Sequence, residues 1–106
     1  MGKALDGIRI IDMTHNQAGP ACTQILAWLG AEVIKVERPG SGDVSRSSPP
    51  FLADGHDGKQ GASFLYLNTS KKSVTLNLET QQGAEILRKL AQEADILVES
   101  FPPGHM

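Results

Sequence analysis

The sequence predicts an α/β fold of the Rossmann-like kind: a mostly parallel sheet built as strand–helix–strand, a long loop, then strand–helix–strand. Three observations carry this expectation. Short, nearly continuous apolar runs recur at residues 8–13, 32–37 and 95–99, the texture of parallel strands covered on both faces. Apolar residues at helical spacing mark residues 21–29 and 81–93, which alternate with those strands as α/β architecture requires. The first unit also has the length of about thirty residues expected of a right-handed crossover.

Each element has its own signal. Ile8-Arg9-Ile10-Ile11-Asp12-Met13 is the first strand, and residues 14–19 form a polar loop. Pro20 suits the first helical position, where its missing N–H costs nothing. The helix over residues 21–29 carries Cys22, Ile25, Leu26 and Leu29 at helical spacing. That places Cys22 as a small buried apolar residue and Trp28 in core or interface packing. Gly30 fits the left-handed position past the helix end. Residues 32–37 form the second strand, with Val33, Ile34 and Val36 apolar.

Residues 38–60 are rich in glycine and proline and read as a long loop, a feature that in compact domains is usually functional or mobile. Residues 62–67 suit a short helix. Residues 73–78 alternate Val74, Leu76 and Leu78 with polar side chains, the mark of a third strand. Thr80 is an N-cap for the helix over residues 81–93, one face of which holds Ile86, Leu87, Leu90, Ala91 and Ala94. Residues 95–99 form the fourth strand, ended by Phe101-Pro102-Pro103. Two long helices leave one face of such a sheet largely bare. Residues 1–106 are therefore expected to be a fragment, or one piece of a larger assembly.

Composition narrows the function. The 106 residues are 40% hydrophobic and 21% charged, a globular balance. A formal net charge of −2 lacks the basic footprint of a nucleic-acid binder. No apolar run approaches the roughly 20 residues that cross a bilayer. One cysteine and no leader-like N-terminus point to a reducing cytoplasm. His56 and His105 have no metal-ligating companions at useful spacing, so no metal is expected.

In open parallel sheets, ligands bind outside the carboxyl ends of the strands. Residues 14–20, 38–43, 78–80 and 100–104 fall there. The first leads into a helix N-terminus, which favours an anion, and Arg38 adds a fixed positive charge. The pattern suggests a phosphorylated ligand. Glu37 stands where a dinucleotide's ribose-binding acid would, but His15-Asn16-Gln17-Ala18-Gly19-Pro20 lacks the three-glycine fingerprint. Arg38 could instead pair with Glu37. Lys71-Lys72 reads either as a solvated pair or as a steering charge, and His15 as a loop residue rather than a base.

The same residues resemble the class III CoA-transferase family. The likeness runs through Gly19-Pro20-Ala21-Cys22-Thr23-Gln24, then Leu29-Gly30-Ala31-Glu32-Val33-Ile34-Lys35-Val36-Glu37-Arg38-Pro39-Gly40 and Gly42-Asp43. It continues at Leu67-Asn68, Lys71-Lys72-Ser73-Val74 and Ala94-Asp95-Ile96-Leu97-Val98-Glu99-Ser100-Phe101. Gln17 and the run Cys22 through Trp28 resemble the formyl-CoA:oxalate branch, whereas residues 49–61 look like other branches. The resemblance implies CoA transfer from an acyl-CoA donor to a small carboxylic acid, with no cofactor beyond the coenzyme A of the substrates. It also implies an interlocked homodimer and a nucleophilic aspartate beyond residue 106. Asp6, Asp12, Asp43, Asp54, Asp57 and Asp95 do not sit in that aspartate's motif.

Residue by residue, the resemblance puts Gln17, as a supporting active-site residue, and Ala18, as a cofactor-binding one, where the family lines the active site near the acyl group. It puts Arg38 on coenzyme A, with Leu76, Asn77, Leu78 and Glu79 along its nucleotide part and Ser100, Phe101 and Pro102 on a further stretch. Relatives often carry lysine at position 79 and asparagine at position 100, so Glu79 and Ser100 are departures. A 2-methylacyl-CoA racemase of the same fold, or a non-catalytic CoA- or nucleotide-binding module, are the alternatives.

Overall fold

The computed structural model describes residues 2–51 and 61–104. Asp54, His56, Asp57 and His105 lie outside them, as does most of the 49–61 loop.

Four strands form one all-parallel sheet. They are β1 (Arg9–Asp12), β2 (Glu32–Glu37), β3 (Lys71–Thr75) and β4 (Ile96–Val98), in the order β3-β2-β1-β4. The α/β expectation is therefore met, with every pairing parallel. The chain runs outward from β1 to β2 and β3, then returns to the other side of β1. The strand order thus reverses at β1, the kind of position where doubly wound sheets place ligands.

Helix α1 (Ala18–Trp28) covers one face. Helix α2 (Ala62–Leu67) and a 3₁₀ turn over Val44–Ser47 lie on the same side, and α3 (Gln81–Gln92) covers the other face. Side-chain alternation splits the core accordingly. Ile10, Val33, Ala27 and Ala31 pack on the α1 side. Ile11, Met13 and Val36 pack on the α3 side with Leu76, Leu78, Leu87, Leu90, Ala94 and Phe101.

Three local expectations are corrected. Helix α1 begins at Ala18, not residue 21, so Pro20 is its third residue. The first N–H groups of a helix have no partner in any case, and the first helical bond runs from Ala21 N to Gln17 O. Strand β3 spans Lys71–Thr75, not residues 73–78. After Leu76 N has bonded to Glu37 O, Asn77 turns the chain, its Oδ1 accepting from Glu79 N and its carbonyl from Thr80 N. Leu76 and Leu78 alternate because both reach the α3-side core, not because the ladder continues.

The third correction concerns the face that α1 buries. Pro20, Thr23, Gln24 and Ala27 point inward. Cys22 is exposed, and Ile25, Trp28 and Leu29 are 52%, 52% and 46% exposed. The reason lies in the sheet beneath. Asp12, Lys35 and Glu37 are buried there, and a helix packed on them must present groups that can hydrogen-bond. Trp28 instead lies across the helix surface, its Nε1 donating to Thr69 Oγ1 at 3.0 Å.

Candidate functional site

The carboxyl ends of all four strands open onto one cleft of about 540 Å³, within the range of small-molecule sites. Met13 and His15 reach it from beyond β1, and Val36, Glu37, Arg38, Pro39 and Ser41 from β2. Leu76 through Glu79 contribute from beyond β3, and Ser100, Phe101 and Pro102 from beyond β4. Its floor is apolar, since Met13, Val36, Leu76, Leu78 and Phe101 belong to the α3-side core. Its rim is polar, with Arg38, Asn77, Glu79 and Ser100 exposed.

The cleft thus brings together Arg38, Leu76, Asn77, Leu78, Glu79, Ser100, Phe101 and Pro102 from three separate stretches of sequence. Gln17 and Ala18 do not line it. Gln17 is the exposed N-cap of α1 and makes no side-chain capping bond, and Ala18 is the first residue of that helix. Gln17 follows His15, which does line the cleft, by two residues, and Ala18 by three.

Charge on the rim is set by pairing further back. Glu37 does not pair with Arg38. Its two oxygens accept from Arg46 Nε and Nη2, each at 2.7 Å, and Ser73 Oγ donates at 2.7 Å. Burial alone would raise the Glu37 pKa, but these donors outweigh it and hold the carboxyl at about 2. Arg46 in turn stacks on the Phe64 ring at 3.8 Å. With Glu37 committed to Arg46, no described carboxylate forms an ion pair with the Arg38 guanidinium.

Behind the cleft lies a buried polar layer that the sequence analysis missed. Asp12 accepts from Thr14 N at 2.8 Å, Thr23 Oγ1 at 2.7 Å and Lys71 Nζ at 3.0 Å, and also from the Thr14 hydroxyl. Lys71 Nζ further donates to Pro20 O and Asn68 Oδ1. Burial pushes the Lys71 pKa down against the pull of Asp12. Burial would raise the Asp12 pKa, yet its hydroxyl donors and Lys71 bring it below the ordinary value. Lys71 is therefore neither a solvated charge nor a steering one. Lys72 is exposed and pairs with Glu32 at 2.9 Å.

Lys35 and Asp43 form a second buried pair at 2.7 Å. His15, beside it, has its pKa lowered, chiefly by burial and against the pull of Asp43. Among the described residues no group of His, Cys, Asp and Glu is placed to hold a metal. No described helix is long and apolar enough to cross a membrane.

An open parallel sheet with a cleft at its strand reversal defines the chain as an α/β protein of the doubly wound kind. Comparison with known proteins makes this specific. The profile of CoA-transferase family III matches residues 5–106, and the chain belongs to that family. It is 50% identical over 104 residues to a formyl-CoA:oxalate CoA-transferase of Rhodopseudomonas palustris strain BisA53, covering 98% of this chain and 24% of that enzyme. The chain therefore spans about a quarter of the length of the curated relatives it matches.

Among solved structures, Rv3272 from M. tuberculosis superposes with a TM-score of 0.88 at 45% identity, covering 99% of this chain and 28% of that one. A CAIB/BAIF family protein from Brucella suis gives a TM-score of 0.86 at 39% identity, covering 95% and 26%.

Proposed function

We propose that residues 1–106 form the N-terminal, coenzyme A-binding part of an enzyme that moves CoA from an acyl-CoA donor to a small carboxylic acid, in the manner of a formyl-CoA:oxalate CoA-transferase. The observation that supports this reading most is the cleft itself. It gathers an arginine that pairs with no described carboxylate, an apolar floor and the polar ends of four strands at one sheet edge. Arg38 suits a phosphate, to which a guanidinium makes two parallel charge-assisted bonds. The apolar floor suits the uncharged stretches of a long ligand.

In this reading coenzyme A arrives with the substrates, and no other cofactor takes part. Asn77, Ser100 and the neighbouring backbone orient the ligand. Glu79, exposed on the rim, is a poor neighbour for phosphate and faces water when CoA is bound. Gln17 and Ala18 border the acyl end. A carboxylate nucleophile from beyond residue 106 attacks the donor thioester, and covalent catalysis divides the transfer into easier steps. The working enzyme is a cytoplasmic homodimer of interlocked chains that needs neither nucleic acid nor membrane.

The test is titration calorimetry with CoA. Arg38→Ala should weaken binding by about 1.5–3 kcal/mol, the scale of a lost charge-assisted bond, and unchanged affinity would remove Arg38 from the site. Transfer is tested separately by incubating the 106-residue chain with formyl-CoA and oxalate. Interactions that hold a ligand without acting on the transition state leave the barrier almost intact. No oxalyl-CoA should therefore form. A product thioester, or a CoA adduct on Asp6, Asp12, Asp43 or Asp95 by mass spectrometry, would place the nucleophile inside this chain.

A further inference from the structure

The Gly42-Asp43 motif stands out in the sequence, yet Asp43 is not among the residues lining the cleft. It is fully buried, with 0% exposure. Gly40 and Gly42 take φ values of +81° and +65°, a left-handed path that glycine follows without strain. That path folds the chain after β2 back beneath the loop between β1 and α1. Asp43 N then donates to Glu37 Oε1 at 2.9 Å, which fixes its backbone.

The Asp43 side chain is divided between two tasks. Oδ2 meets Lys35 Nζ at 2.7 Å. Oδ1 accepts from Ser45 N at 2.9 Å, from Ser45 Oγ at 2.8 Å and, across 27 residues of sequence, from Asn16 N at 3.0 Å. Lys35 completes the arrangement by donating to Thr14 O at 3.0 Å. The loop is therefore gripped at Thr14 and at Asn16 by the two halves of one ion pair, on either side of His15. Asn16 stands at φ +74°, a left-handed conformation that asparagine adopts more readily than most residues with a side chain.

We propose that the Lys35–Asp43 pair is a positioning clamp for the β1–α1 loop, presetting His15 at the cleft wall and the residues that follow it, and so setting the affinity of the cleft for coenzyme A. The ligand rests on the reading of the cleft given above; the clamp itself does not. A buried ion pair is a poor source of net stability. A loop fixed before its ligand arrives, however, binds more tightly because less ordering remains to be done. Neither Lys35 nor Asp43 touches the ligand in this proposal, so both are positioning residues.

Two variants separate the clamp from simple destabilisation. Asp43→Ala removes the acceptor that Asn16 and Ser45 use. Lys35→Met combined with Asp43→Asn removes both charges together, strands neither, and keeps an Oδ1 acceptor for Asn16. Gln24→Ala, which deletes a buried group bonded to Thr69 and not to the loop, controls for stability. The readouts are amide exchange at Asn16 by NMR and CoA affinity by calorimetry, both well below each variant's melting temperature.

Asp43→Ala should speed exchange at Asn16 at least tenfold and weaken CoA binding at least tenfold. The double variant keeps an acceptor for Asn16 but loses the Lys35 bond to Thr14 O, so on both readouts it should fall between Asp43→Ala and the unmodified chain, and Gln24→Ala should change neither. A folded Asp43→Ala protein with unchanged exchange at Asn16 overturns the clamp. So does unchanged CoA affinity when the loop is demonstrably released. If the unmodified chain binds no CoA, the reading of the cleft fails while the exchange measurements still decide the clamp.

Discussion

Acidification should unfold this protein through two particular carboxylates. Glu37 is 4% exposed and Asp43 is fully buried. Each has its pKa held at about 2, against ordinary values of 4.5 and 3.8. Burial acts in the opposite direction in both cases; Arg46 and Ser73 overcome it at Glu37, and Lys35 with the Ser45 and Asn16 amides at Asp43. A carboxyl depressed in the folded state binds its proton more readily when unfolded. Its stabilisation is therefore complete above the unfolded pKa and is lost as pH falls toward the folded one.

At about 1.4 kcal/mol per pH unit of difference, Glu37 contributes about 3 kcal/mol at neutral pH and Asp43 about 2 kcal/mol. Between pH 7 and pH 3 roughly 2 kcal/mol of the first and 1 kcal/mol of the second should disappear. The two groups share a hydrogen bond, so their sum is an upper bound, but it is a large fraction of the 5–15 kcal/mol typical of a domain. Urea unfolding followed by circular dichroism at pH 7, 5, 4 and 3 measures the loss. Glu37→Gln provides the control. It should be less stable at pH 7, and its further loss down to pH 3 should be smaller than that of the unmodified chain by about 2 kcal/mol. Other carboxylates titrate equally in both proteins and cancel. Parallel profiles for the two would refute the assignment.

Two further outcomes follow from packing. Gly83→Ala should destabilise the protein by about 1–3 kcal/mol in chemical denaturation, although alanine normally favours a helix interior by about 1 kcal/mol. A Cβ at Gly83 would overlap the Asn77 carbonyl that shapes one cleft wall, and a more stable variant would contradict that geometry. The apolar stripe of Ile25, Trp28 and Leu29 should make the 11.3 kDa chain associate in solution. Ile25→Lys with Leu29→Lys should shift it toward monomer in light scattering at nearly unchanged stability, and an unmodified chain that is already monodisperse and monomeric would count against the stripe as the cause.

The fold was legible because its signals are local. Ile10, Ile11, Val33 and Val36 announce strands covered on both faces, and Leu87, Leu90 and Ala94 announce a helix lying on them. The cleft was legible for a topological reason: once strands are parallel, Arg38, Asn77 and Ser100 must gather at one edge. The polar layer was not legible, since its partners are distant in sequence, 59 residues apart for Lys71 and Asp12 and 27 for Asn16 and Asp43. One signal was present. Lys35 and Glu37 alternate with apolar residues in a strand expected to be covered on both faces, and two buried charges on one face require partners. Helical spacing misled at Cys22, Ile25 and Leu29 because it marks an apolar face without saying what the opposite face meets.

That inversion of α1 follows from the demands of the site. A parallel sheet leaves loop backbones at its carboxyl edge, and those loops must keep one shape if they are to bind anything. The loop after β1 is short, carries Asn16 in a left-handed conformation, and is bonded at Thr14 and Asn16 to side chains outside it. Asp12, Lys35 and Asp43 supply the missing acceptors and donors from below, and charged groups do this more strongly than neutral ones. Once those charges are buried, the layer above them must be polar too, because an unpaired buried charge costs more than a pair contributes. Thr23 meets Asp12, and Gln24 meets Thr69. The apolar residues of α1 are then left for the outer side. The exposed Ile25, Trp28 and Leu29 and the fixed His15 loop are two consequences of one choice, the placing of ionised side chains beneath a ligand-binding edge.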